Sequence, residues 1–142
     1  MSIKSILFFL LVNLSMQVFG QGCTVSEITD EYIEFGSGGG FAPSSKKYIL
    51  TQSGSLYMFN TQRLISDSIF FQKQVCKKQV KKIYAFALKQ SIQEYSYNQP
   101  ENLYCFIQFH FKNNLKKISW SIPTNNLQAD VIILYNKLIK TI

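Results

Sequence analysis

His110 is the single histidine of the chain, and Cys23, Cys76 and Cys105 are its only cysteines. A zinc site needs three or four such ligands at close spacing, and neither a His-Glu-x-x-His nor a Cys-x-x-Cys pattern occurs. Leu103, Cys105, Ile107, Phe109 and Phe111 alternate with more polar residues, so this segment reads as a strand with Cys105 on its inward face. His110 then leaves the opposite face with Tyr104 and Gln108, which rules out a thiolate–imidazole pair. Glu27, Asp30, Glu31 and Glu34 cluster so closely in sequence that they read as a solvated acidic edge rather than a general acid and base. No catalytic residue, metal site or cofactor site follows, and the chain reads as a non-enzyme.

The run Gly36-Ser37-Gly38-Gly39-Gly40-Phe41 needs a reason, because four glycines in five positions cost backbone entropy on folding. Such a run serves positive-φ turns or the close approach of another backbone. A dinucleotide loop would carry a third glycine where Phe41 stands and would open a helix; a phosphate loop would need Gly-Lys-Ser/Thr. Two roles remain open. Either the run is a tight connection with Phe41 in the core, or it is an exposed loop that presents Phe41 and is stiffened by Pro43. In the second role Gly38, Gly39, Gly40, Phe41, Ala42 and Pro43 form a partner-binding segment.

Lys77, Lys78, Lys81, Lys82 and Lys89 share the polar face of a predicted helix, and Lys116 and Lys117 add to the positive charge. This face either serves solubility or meets an anionic membrane surface or an acidic partner. No nucleic-acid motif accompanies it. Cys76 and Cys105 both fall on apolar stripes, which leaves a disulfide between them and two buried free thiols as alternatives.

The elements that would position these residues follow from periodicity. Glu31 to Phe35 reads as a strand ended by the glycine run. Lys47 to Gln52 and Ser55 to Asn60 form a hairpin about Ser53-Gly54, and Ser68 to Val75 adds a strand with Ile69, Phe71 and Lys73 on one side. A helix from Cys76 to Gln90 buries Cys76, Val80, Ile83, Tyr84, Ala87 and Leu88. The strand through Phe111 turns at Lys112-Asn113-Asn114 into a partner carrying Ile118, Trp120 and Ile122. A last helix starts from Asn125 as N-cap, with Gln128 three residues on, and buries Leu127, Val131, Leu134, Tyr135, Leu138 and Ile139. The order β-β-β-(β)-α-β-β-α predicts a small single α+β domain, with a mostly antiparallel sheet of about five to six strands and two helices packed on one face.

Residues 1–20 read as a secretory signal: Lys4 precedes an apolar run from Ile6 to Val12 that continues to Phe19, too short for a spanning helix, with cleavage expected after Gly20. Residues 21–142 are then the single α+β domain, and loss of Lys4 takes the formal net charge from +7 to +6. The expected address is secreted, periplasmic or cell-envelope. Cys23, just after the signal, is a candidate lipidation site, since Gly22 supplies the small residue such processing wants. Apolar residues make up 46% and aromatics 15% of the chain, which excludes disorder.

Phe35 to Phe41, with Tyr48-Ile49-Leu50-Thr51 and Ser53-Gly54-Ser55-Leu56-Tyr57, resembles a group of small exported proteins and lipoproteins with a Gly-Ser-Gly-Gly-Gly-Phe signature. More distantly, Ser37-Gly38-Gly39-Gly40-Phe41-Ala42 resembles the Gly-Gly-Phe-Ala-Gly loop of the emfourin family, small proteinaceous inhibitors of thermolysin-like metalloproteases. Pro43 stands where that family has its final glycine, and this run is one glycine longer. The likeness implies an exported binding protein that blocks a metalloprotease, or another protein partner, through residues 36–43. The alternative is a structural or accessory envelope protein held by Cys23 or by the lysine face at the membrane surface.

Overall fold

The computed structural model describes residues 23–39, 45–59, 68–112, 114–123 and 126–142. The expected signal segment 1–20, Gly40 to Pro43 and Asn125 lie outside them. Eight strands are present: β1 (Cys23–Thr24), β2 (Tyr32–Gly39), β3 (Lys46–Thr51), β4 (Ser55–Phe59), β5 (Ser68–Gln74), β6 (Asn98–Gln99), β7 (Leu103–Phe111) and β8 (Asn114–Ser121). Three helices accompany them: α1 (Lys77–Ala87), the short α2 (Gln90–Gln93) and α3 (Ala129–Ile139). The strands form one sheet in the order β1-β5-β4-β3-β2-β7-β8-β6, antiparallel throughout except where β6 lies parallel to β8. The chain is thus a small mixed α and β domain, richer in strand than its periodicity predicts. The two unpredicted strands, β1 and β6, are two-residue edges too short to show any alternation.

One face of the sheet carries the main core. Ile33 and Phe35 of β2, Leu50 of β3, Cys105, Ile107 and Phe109 of β7, and Ile118 and Trp120 of β8 pack with Val80, Ile83, Tyr84 and Ala87 of α1 and with Val131, Leu134 and Leu138 of α3. The strand period of two and the helix period of 3.6 thus meet in one layer between sheet and helices. Tyr84 extends this layer: its hydroxyl donates to the Leu50 carbonyl at 2.8 Å and lies 3.2 Å from that of Glu31. Burial, then the neighbouring Glu31 and Asp30 carboxylates, push its pKa up. The second face is not purely polar, since Ile49, Ile69 and Phe106 are buried there.

Several placements differ from the sequence reading; one is Leu88, read as buried on the first helix, which lies just beyond the last helical residue Ala87 and is 59% exposed. The glycine run does not end the first strand: Gly36, Ser37, Gly38 and Gly39 continue β2, between β3 and β7 as far as Ser37 and along β7 alone to Gly39. In β5 a register shift opposite Leu56 and Tyr57 turns Lys73 away from Ile69 and Phe71, and its ammonium donates to the Ile142 carbonyl. Cys76 is the N-cap of α1 with extended ψ of 129°, so it leaves the helical stripe it matches in sequence and is exposed. The last helix is capped at Gln128 rather than Asn125, and Ile139 near its end is 40% exposed.

Candidate functional site

The glycines of β2 are explained by what crowds them. A Cβ on Gly36 would sit 1.9 Å from the Lys46 carbonyl oxygen, and one on Gly39 would sit 1.8 Å from that of Asn102. Gly39 also has φ of +97°, a conformation L side chains rarely adopt. Close approach of two neighbouring backbones, one from each side, therefore requires glycine at both positions. Gly36 is tied further to the helical layer, because the Tyr135 hydroxyl of α3 donates to its carbonyl at 3.1 Å. Tyr135 packs edge-on against Trp120, with ring centres 5.1 Å apart, and its hydroxyl neighbours the Cys105 thiol. Burial pushes the Cys105 thiol up, with the Tyr135 contact opposing.

At the end of the sheet where β2 finishes, the apolar surface opens. Gly39 pairs with Leu103, and the Ile122 amide donates to the Leu103 carbonyl at 2.9 Å, so the three residues form a row across β2, β7 and the end of β8. Alternation along β7 predicts Leu103 inward; instead it is 53% exposed, and Ile122, also read as inward, is 50% exposed. Gly39, with no side chain, leaves one flank of Leu103 uncovered. Gly38, Gly39, Lys46, Leu103, Tyr104 and Ile122 line a shallow pocket of about 280 Å³. Two of the partner-binding residues read from the sequence, Gly38 and Gly39, thus form the strand end of this surface. The sequence pattern marks neither Leu103 nor Ile122 as a contact residue; the signal it offers is an aliphatic at a strand terminus, next to Asn102 in one case and Pro123 in the other.

The remaining sequence candidates separate. Cys23, Cys76 and Cys105 are all free thiols; Cys76 is exposed and Cys105 buried, so the structure does not join them. Cys23 is half-buried and already paired with Ile69 in β1, so a lipid there would attach to the sheet with no spacer. Of the acidic cluster, Glu27 accepts from the Thr24 amide and Glu31 from the Lys112 amide. Glu34 is not at an edge: it lies in mid-sheet on the second face, 4.0 Å from Lys47 and 3.7 Å from His110. Lys116 and Lys117 do not extend the lysine face of α1, because successive strand residues point to opposite sides of the sheet. The Lys116 ammonium donates to the Ile92 and Gln93 carbonyls, and that of Lys117 stands over the Phe106 ring at 5.3 Å.

His110 is half-buried, stacked on Tyr32 with ring centres 4.2 Å apart and planes at 16°. Its Nε2 is buried without a hydrogen-bond partner, the Glu34 carboxylate being 3.7 Å away. Burial lowers its pKa below 6.5 despite that carboxylate. Because the folded pKa lies below the unfolded one, the unfolded chain binds the proton more readily in the interval between them. The stability His110 contributes is therefore complete above about pH 6.5 and falls away as the pH drops through that interval. Thermal melts between pH 7.5 and 5 should show a loss that is reduced in His110→Gln; an identical pH profile in that variant would show that His110 is not the group responsible.

Among the described residues no group of three or more His, Cys, Asp and Glu side chains is placed to hold a metal ion. Among them, too, no helix is long and apolar enough to cross a membrane. Compared with known proteins, the chain matches no family model and no curated sequence, so the reading of its function rests on its own residues and their geometry.

Proposed function

We propose that the chain is an exported, non-enzymatic binding protein that meets a protein partner with the end of the sheet where β2 leaves at Gly39. The observation that supports this is the row Gly39, Leu103 and Ile122: two half-exposed aliphatic side chains beside a glycine, bordering a pocket. An aliphatic pair of this kind gives a partner side chain an apolar seat, and contacts at the centre of an interface carry most of its energy. Residues 40–43 follow Gly39 in the sequence, which makes Phe41 a further candidate for the same contact. The emfourin likeness makes a thermolysin-like metalloprotease the first partner to try. In this reading the glycines of β2 serve the sheet, and the binding work falls to Leu103, Ile122 and the segment beyond Gly39.

Titration of a thermolysin-like metalloprotease with the chain tests the proposal. Stoichiometric inhibition should weaken by about thirtyfold or more in Leu103→Ser/Ile122→Ser, the loss expected for central apolar contacts. Phe41→Ala reports separately on the segment beyond Gly39. Absence of any inhibition would overturn the protease reading, and inhibition untouched by the double variant would move the contact elsewhere. A second reading, an accessory envelope protein, is favoured by the concentration of lysines on the helical layer.

A further inference from the structure

The outer surface of the helical layer combines two features that seldom share a surface. α1 and α3 lie antiparallel: Lys89, beyond the end of α1, is 3.8 Å from Asp130 in the first turn of α3. At the opposite end Lys78 and Lys82 of α1 converge with Lys137 and Lys140 of α3 on an open cleft of about 370 Å³. Among the described residues no carboxylate lines that cleft, so the four ammonium groups repel one another until an anion enters. The same layer exposes aliphatic side chains that a solubilising surface would not carry: Ile132, Ile133 and Ile139 of α3 are 42%, 44% and 40% exposed.

Each feature alone admits several partners, and together they narrow the choice. An acidic protein or another polyanion would use the lysines and leave the isoleucines in water. An apolar protein surface would cover the isoleucines and bury four ammonium groups with no carboxylate lining their cleft, at high cost. A bilayer with anionic headgroups satisfies both, since lysines hold lipid phosphates while neighbouring aliphatics reach the acyl boundary. We propose that the outer face of α1 and α3 docks on an anionic lipid bilayer, with headgroup phosphates in the cleft of Lys78, Lys82, Lys137 and Lys140 and with Ile132, Ile133 and Ile139 at the acyl boundary. The docking gives physical form to the accessory-protein reading and is independent of protease binding.

Sedimentation of the full chain with two kinds of vesicle tests it: phosphatidylcholine alone, and the same lipid with about a third phosphatidylglycerol. The N-terminal segment carries Lys4 beside its apolar run, so the charged face is read from the part of the difference that the four-lysine variant, which keeps that segment, removes. Binding to the anionic vesicles should exceed binding to the neutral ones by about a hundredfold, and Lys78→Gln/Lys82→Gln/Lys137→Gln/Lys140→Gln should remove most of that difference. Ile133→Ser/Ile139→Ser should weaken the anionic binding that survives at high salt, where ammonium–phosphate attraction is screened. Far-UV circular dichroism of both variants checks that the fold persists. Equal binding to the two vesicle types, or binding indifferent to the four-lysine variant, would overturn the proposal. So would capture of soluble polyglutamate as strong as vesicle binding and unaffected by the isoleucine changes, which would assign the face to an acidic partner. Protease inhibition should be unchanged in the four-lysine variant, which keeps the two readings separable.

Discussion

Gly36→Ala and Gly39→Ala should each destabilise the fold by about 3 kcal/mol, a loss set by backbone collision rather than by lost packing. In both, the new methyl meets a carbonyl oxygen of the neighbouring strand or its approach, Lys46 at 1.9 Å and Asn102 at 1.8 Å, and a main-chain oxygen can move only if its strand moves. At Gly39 the φ of +97° adds a conformational penalty. Gly38→Ala is the control: its methyl would meet the Tyr104 hydroxyl at 2.8 Å, the tip of a side chain that can swing aside, and the cost should stay near about 1 kcal/mol. Denaturant titrations should show a lower midpoint with an unchanged slope for the first two variants. Equal, small effects at all three positions would show that the strands do not approach as closely as the fold requires.

The glycine run also shows where the sequence is hard to read. Glycine is depleted from strands, and four in five positions read as punctuation, so the sequence pattern bounds the first strand at Glu31 to Phe35. What overrides that rule is a tertiary fact, the approach of Lys46 from one side and Asn102 from the other, which no local pattern contains. Where side chains do the specifying, the reading is accurate. The alternation in β3, β4, β7 and β8 and the apolar stripe of Val80, Ile83, Tyr84 and Ala87 place those elements closely, because burial on one face leaves a period in the sequence. Cys76 and Lys73 mark the limits of extrapolating a period. The first steps off the helical stripe by becoming the N-cap, and the second changes face through a register shift. The candidate surface is half legible: its glycines stand out, whereas Leu103 and Ile122 match the apolar alternation of core residues and yet are 53% and 50% exposed.

Phe35→Ala should cost about 3–5 kcal/mol, the range for truncating a fully buried aromatic. Phe35 has no exposed surface, sits in the central strand, stacks on Tyr48 with ring centres 5.7 Å apart and pairs with Ile107 across β7. Its removal leaves a cavity between the sheet and the helices where neither layer can close without disturbing β3 and β7 together. Against a total stability of about 5–15 kcal/mol for a domain of this kind, that loss leaves a marginal fold at 37 °C. Phe71→Ala provides the contrast. Phe71 is 55% exposed and meets Tyr57 edge-on near the sheet margin, so its truncation should cost about 1 kcal/mol. Thermal melts of the two variants side by side should separate by roughly 10 °C; melts that coincide would place Phe35 outside the main core.

Amide hydrogen exchange at Phe35, Gly36 and Ser37 reads the role of the glycine run directly. These residues lie between β3 and β7, so their amides should exchange as slowly as those of the core strands, as expected of a run that is sheet rather than loop. Exchange of Gly36 and Ser37 at the rate of an unstructured segment, beside a protected Ile33, would contradict this and return the whole run to the role of a loop.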